Sequence, residues 1–375
     1  MRYKRVAVFL LVFAILLPQI PVRAQGVILS AKACILMDAG TGEVLYEKNA
    51  QLRLSMASTT KILTALILLE AGNLDQDVKV TADMIRVEGS SLGLKAGDKI
   101  SRLDLCYGLL LSSGNDAANV VAYVISGGLE PFAKLMNLKA ACIGMNASSF
   151  ATPSGLDADD HYTTAKDMAV LARYAMRNKR FQALVSSRSA TISVGNPKRT
   201  RTIYNHNKLL TLYDGCDGLK TGYTKKSGRC LVSSVVRNGV RLICVTLKAS
   251  DDWNDHKKLL DYGFSRYLSE DVTVTRELAV RVTGGVLCTV RLRSEYAQLS
   301  LTARQKDLLE TKIEVPPFVF APICIGDKVG RVTYWVEENL LLSVPLVAIE
   351  SSASLDHALS PKINIWKKLR LLLTG

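Results

Sequence analysis

The chain has 375 residues, 48% hydrophobic and 22% charged, which excludes an intrinsically disordered protein and allows about two domains with a substantial core. The net charge of +14 is concentrated at the ends. Four cations (Arg2, Lys4, Arg5, Arg23) precede Gln25 and four (Lys362, Lys367, Lys368, Arg370) follow Pro361, with no acid in either segment; the body keeps +6, with no aromatic-basic stripe or zinc module that calls for nucleic acid.

The chain opens with a basic "MRYKR", an apolar "VAVFLLVFAILL" and small residues at Val22 and Ala24, the pattern of a secretory signal cut after Ala24. An uncleaved anchor is the alternative, but the apolar run is short for a bilayer. Residues 1–24 are thus expected to be removed, leaving an exported protein at the outer face of the cytoplasmic membrane. "ACILMDAGTGEVLYEKNA" then reads as two strands around a turn at Ala39 to Glu43. "STTKILTALILLEAG" is apolar nearly all round, a buried helix stopped by Gly72. "SRLDLCYGLLLSSGNDAANVVAYVISGG" reads as two helical segments broken at Ser112 to Asn115, and "YTTAKDMAVLARYAMRN" as a helix capped by Thr163 or Thr164.

From about Leu219 the pattern turns to strands, with "RNGV" as a hairpin turn, and "WNDHKKLLDYGFSRYL" closes the region as a helix. Residues 25–270 therefore form an α+β domain, a mixed antiparallel sheet from both ends of the segment packed by a helical middle. Beyond Glu270 the helices stop. Short Val-rich runs with Gly and Pro punctuation over 271–350 read as a small all-β sandwich. Residues 351–375 are a linker and an amphipathic tail: at about 100° per residue, Ile365, Trp366, Leu369, Leu372 and Leu373 share a face away from Lys367, Lys368 and Arg370. That tail suits the membrane surface better than docking on the protein itself.

The eight cysteines are scattered singly, several in apolar surroundings, and read as buried thiols rather than a disulfide framework. No metal-ligand spacing and no cofactor motif is present, so the metal and cofactor expectation is none.

Ser58 and Lys61 stand three apart at the start of the buried helix. Such a pair alone means little, since roughly one chance match arises in a chain of this length. Its appeal is geometric, because i and i+3 share a helix face and the helix N-terminus adds N–H groups and a positive dipole end. A lysine is a base only when neutral, which needs burial or a second cation. Lys220-Thr221-Gly222, opening the late sheet, offers that cation, and Ser113-Gly114-Asn115 lies between. The three motifs in this order, each at an element boundary, are a specific signal.

Together with "TPSGLDADDHYTTAKDMAVLARYAM" and "DGLKTGYTKKSGRCLVSS", these motifs resemble the penicillin-binding proteins, specifically the low-molecular-mass serine-type D-alanyl-D-alanine carboxypeptidases, over residues 30 to 268. The resemblance implies that Ser58 attacks the terminal D-Ala–D-Ala bond of a peptidoglycan stem peptide, with Lys61 as proton acceptor and Ser113 relaying a proton to the leaving D-alanine. Asn115 is implied to hold the substrate backbone, and Lys220 and Thr221 its free carboxylate. Gly222 is implied to permit close approach, and the N–H groups of Ser58 and Tyr223 to form the oxyanion hole. β-Lactams are implied covalent inhibitors.

Other residues are discounted. Asp157, Asp159 and Asp160 read as a solvated loop, His206 as structural although near the cleft, and Trp253 and His256 as packing or capping the closing helix. One rival is a class A-like β-lactamase, but Glu130 is the single glutamate between Asp116 and Leu219, without the expected surroundings. A non-catalytic wall-binding scaffold is another, with no reason to keep Ser58, Lys61, Ser113 and Lys220 intact.

Overall fold

The computed structural model describes residues 27–355. The segments for which a signal and an anchoring helix are expected lie outside the described residues. In chain order the first unit holds β1 (Ala33–Asp38), β2 (Val44–Lys48), β3 (Asp77–Lys79), β4 (Lys99–Ser101), β5 (Ser189–Gly195), β6 (Lys198–Tyr204), β7 (Cys216–Thr224), β8 (Gly228–Arg237) and β9 (Val240–Ala249). Its main sheet is antiparallel throughout, in the order β2-β1-β9-β8-β7. The two ends of the unit meet where β1 pairs β9, with Ile35 opposite Val245. The β8–β9 hairpin turns at Asn238-Gly239, both at positive φ, as an Asn-Gly two-residue turn requires.

Strands β1, β8 and β9 are apolar along most of their length because both faces of the sheet are covered. Alternate side chains face opposite ways: Ile35, Val232 and Ile243 join the core under the helical middle, while Leu36, Leu231 and Leu242 pack with Leu259 and Leu260 of the Asp252–Phe264 helix. The Lys61–Ala71 helix is buried from Lys61 through Leu69 and ends at Gly72, φ +74°. Thr164 caps the Ala165–Ala175 helix by accepting from the Asp167 N–H. A second sheet, β3-β4-β5-β6, was not legible in the sequence. Two of its strands are three residues long, and their pairing is set by partners remote in the chain.

The second unit holds β10 (Leu268–Asp271), β11 (Leu278–Thr283), β12 (Thr289–Ser294), β13 (Gln298–Leu301), β14 (Leu309–Glu314), β15 (Phe318–Phe320), β16 (Lys328–Val336) and β17 (Asn339–Ala348). Six form a sheet in the order β14-β16-β17-β12-β11-β15, and β10 pairs β13. Val280, Val290, Val332, Tyr334 and Leu346 fill its core. The expectation that helices stop beyond Glu270 needs one correction: Ala303–Asp307 is a short helix, started by a capping box between Thr302 and Gln305. The units join at the β1–β2 turn, where Asp38 accepts from Tyr267 Oη and Gln305 Nε2, each at 2.7 Å, and Arg173 donates to Asn339 Oδ1 at 3.1 Å. All eight cysteines are free, four of them buried.

Candidate active site

Ser58 sits in a single 3₁₀ turn, Ala57–Thr60, that runs directly into the Lys61–Ala71 helix. Three residues per turn eclipse i and i+3, so Lys61 stands over Ser58. Ala57 has φ +48°, unusual for a side-chain-bearing residue, and its surroundings hold it there. Thr60 Oγ1 donates to the Ala57 carbonyl at 2.8 Å, and His161 Nε2 lies 2.9 Å from that hydroxyl. Because the Ala151 N–H donates to His161 Nδ1 at 3.0 Å, the ring proton sits on Nε2 and points at Thr60. Burial holds this imidazole neutral, lowering its pKa to about 4.

The Lys61 amine is fully buried, with Nζ 2.6 Å from the Ser154 carbonyl, 2.7 Å from Asn115 Oδ1 and 2.9 Å from Ser58 Oγ. Asn115 Nδ2 donates to the Glu88 carbonyl at 2.7 Å, which turns Oδ1 toward the lysine. Ser154 O and Asn115 Oδ1 are acceptors only. A neutral amine has two hydrogens and one lone pair, so once both hydrogens are taken the lone pair faces the Ser58 hydroxyl. Burial first, and then the charge of Lys220, push the Lys61 pKa well below the usual lysine range, against the opposing pull of Asp116.

Lys220 is also buried, on β7, where desolvation lowers its pKa to about 7. Its Nζ donates to the Thr221 carbonyl at 3.1 Å. Ser113, at φ +59° in the break between two helices, faces the same cleft. Among the described residues its hydroxyl makes no hydrogen bond to either lysine. A carbon added to Gly222 would stand 3.0 Å from the Ser58 amide nitrogen and from the Met56 carbonyl, so only glycine lets β7 lie this close to the Ser58 turn. Tyr223 is exposed at the rim.

The structure thus gathers Ser58, Ser113, Thr221, Gly222 and Tyr223 along a cleft of about 480 Å³, with Lys61, Asn115 and Lys220 behind its walls. It also brings residues there that the sequence reading discounted or missed. Trp253 lines the cleft rather than only packing the closing helix, whereas His256 is buried between Ser233 and Thr246, at 2.7 and 3.0 Å. His206 joins the cleft wall, its pKa lowered by burial and then by Lys220. Arg229, half exposed and 3.4 Å from Asp252, is an accessible cation where both lysines are buried. Ser154 and His161 lie within "TPSGLDADDHYTT", where Gly155 has φ +87° and a side-chain carbon would collide with the Ala57 carbonyl. Asp157, Asp159 and Asp160 are exposed, and Glu130 pairs with Lys134 at 2.8 Å on an exposed helix surface.

This geometry, on an α+β scaffold with a sheet strand beside the Ser58 turn, sets a serine hydroxyl against a buried lysine amine at an open cleft. Residues 21–251 match the family model described as D-alanyl-D-alanine carboxypeptidase, and residues 294–353 match that of the penicillin-binding protein 5 C-terminal domain. D-alanyl-D-alanine carboxypeptidase DacF of Bacillus subtilis is 30% identical over 356 residues, 91% of each chain. DacC of Escherichia coli is 33% identical over 345 residues, 86% of this chain and 84% of that one. Among solved structures, the carboxypeptidase DacD of Francisella tularensis covers 91% of this chain and 98% of its own at 28% identity and TM-score 0.62. The Streptomyces K15 DD-transpeptidase covers 64% of this chain and 98% of its own at 31% identity and TM-score 0.61. The chain belongs to the D-alanyl-D-alanine carboxypeptidase family. It is a penicillin-binding serine carboxypeptidase, and the β-lactamase and scaffold readings are not favoured.

Proposed function

We propose that Ser58 is the nucleophile and Lys61 its base in removing the terminal D-alanine from peptidoglycan stem pentapeptides. The carrying observation is the Lys61 amine, buried, with two obligate acceptors on its hydrogens and the Ser58 hydroxyl at 2.9 Å. Lys61 takes the hydroxyl proton as Oγ bonds to the penultimate carbonyl carbon. The N–H groups of Ser58 and Tyr223 hold the oxyanion. The C–N bond then breaks, and the proton passes by way of Ser113 to the departing D-alanine amine. Water repeats the sequence on the acyl-enzyme, giving its proton to Lys61 and releasing the shortened peptide.

Asn115 orients Lys61 as well as flanking the substrate backbone. Lys220 and Thr221 bind the terminal carboxylate, and Arg229 adds a permanent charge within the open cleft. A β-lactam acylates the same serine. We assign residues 25–270 to catalysis and 271–350 to the β-domain. Residues 361–375 hold the exported enzyme at the outer face of the cytoplasmic membrane; their four cations, apolar residues and Trp366 support that reading.

The test is incubation with a pentapeptide ending in D-Ala–D-Ala, followed by mass spectrometry. Loss of one alanine is expected with the natural chain. Ser58→Ala should lose both this reaction and covalent labelling by a fluorescent penicillin; a labelled Ser58→Ala protein removes the serine from the role.

A further inference from the structure

The second unit carries an apolar tip at one end. Phe320 and Ile325 are each 68% exposed, Val286 52% and Phe318 48%, joined by the exposed Leu287 and Leu355. Backbone hydrogen bonds lock the three segments that bear them: Val286 N–H donates to the Ala353 carbonyl and Leu355 N–H to the Gly284 carbonyl, both at 2.9 Å, and Ile323 pairs with Ser352. The Phe318 and Phe320 rings stack edge to face, 5.4 Å apart, on edge strand β15, with Arg281 opposite Phe318 in register. Contiguous exposed apolar side chains of this kind mark an interaction surface.

Two observations name its occupant. Leu355 belongs to the tip, so the chain that continues into "PKINIWKKLRLLLTG" leaves from the patch itself. The β16–β17 hairpin also runs the length of the domain. Asn339, at its turn, touches the catalytic unit through Arg173 and the Thr41 carbonyl, whereas Ala348, at its other end, accepts from the Gly326 N–H beside the tip. Ten strand residues span about 30 Å.

We propose that this tip is a second membrane contact, inserted at the headgroup boundary of an anionic lipid surface. The proposal rests on the reading of the tail as an anchor only for the tail's own share of binding. Phenylalanines and aliphatic side chains next to an arginine suit that boundary, where apolar rings sink below the phosphates and the guanidinium meets them.

Hydrogen exchange on the full chain, with and without vesicles of phosphatidylglycerol and phosphatidylethanolamine, tests it. Exchange in residues 284–288 and 318–326 should slow when vesicles are added. Slowing confined to the tail, or absent, overturns the proposal. Phe318→Ser with Phe320→Ser, both at exposed positions, should weaken vesicle binding at least about tenfold and leave β-lactam acylation unchanged. Unchanged binding also overturns it. Trp366→Ser with Leu369→Ser tests the tail separately: if it leaves binding intact while the patch variant loses it, the anchor reading fails and the patch stands. If the tail variant speeds exchange at 318–326 without lipid, the tail covers the patch, and the membrane proposal falls.

Discussion

A carbon placed on Gly222 would lie 3.0 Å from the amide nitrogen of Ser58. The strand edge and the Ser58 turn are therefore in contact through a gap that only a hydrogen atom fills. Gly222→Ala should push the two apart by a few tenths of an ångström and spoil the oxyanion geometry. We expect the rate of acylation by a fluorescent penicillin to fall by roughly 100-fold, with thermal unfolding shifted by only a few degrees. Acylation within about threefold of the natural rate counts against the oxyanion assignment.

Asn115→Asp replaces a neutral acceptor 2.7 Å from the Lys61 amine by a charged one. The carboxylate stabilises the ammonium and raises the lysine pKa, so the base is protonated at neutral pH. Acylation at pH 7 should fall by at least about tenfold and recover as pH is raised. A rate equally low at every pH would mean that Asn115 acts other than through the protonation of Lys61.

Lys220 and Asp116 act on Lys61 with opposite signs, the cation lowering its pKa and the carboxylate raising it. With Lys61 as the proposed base, acylation needs the neutral amine, and the rate is expected to rise with pH through the Lys61 pKa. Lys220→Met should move that midpoint upward and Asp116→Asn downward. The pH profile of β-lactam acylation reads the midpoint separately from any change in amplitude.

His161 is held neutral, with its pKa lowered to about 4 by burial. An unfolded chain protonates the same ring near 6.5, so the unfolded state binds more protons between those values. Stability from this residue is complete above about pH 6.5 and is lost as pH falls toward about 4, at roughly 1.4 kcal/mol per unit. His161→Gln should lower stability at pH 7 and flatten its dependence on pH by about that slope. Urea unfolding of both proteins at pH 7 and 5 measures the difference; parallel lines would contradict it.

Much of this molecule was readable one segment at a time. The buried helix ending at Gly72, the Asn238-Gly239 turn and the Thr164 cap all follow from residues within a few positions of one another. The β3–β6 sheet did not, because strands of three residues acquire their identity from partners up to about a hundred positions away. Trp253 and Arg229 were illegible as cleft residues for the same reason: an aromatic in a closing helix and an arginine in a strand have ordinary structural uses, and only the packing of that helix on β8 turns both toward Ser58.

By itself the sequence determined which side chains could react, since Ser58 and Lys61 are one 3₁₀ turn apart and their meeting needs only local geometry. The tertiary structure alone set the environment of the amine. Its lowered pKa depends on exclusion of water and on Lys220, and its direction on Asn115 and the Ser154 carbonyl, groups 54 to 159 positions away in the chain. Desolvation and the Coulomb field are properties of a volume, and no stretch of chain near residue 61 contains them.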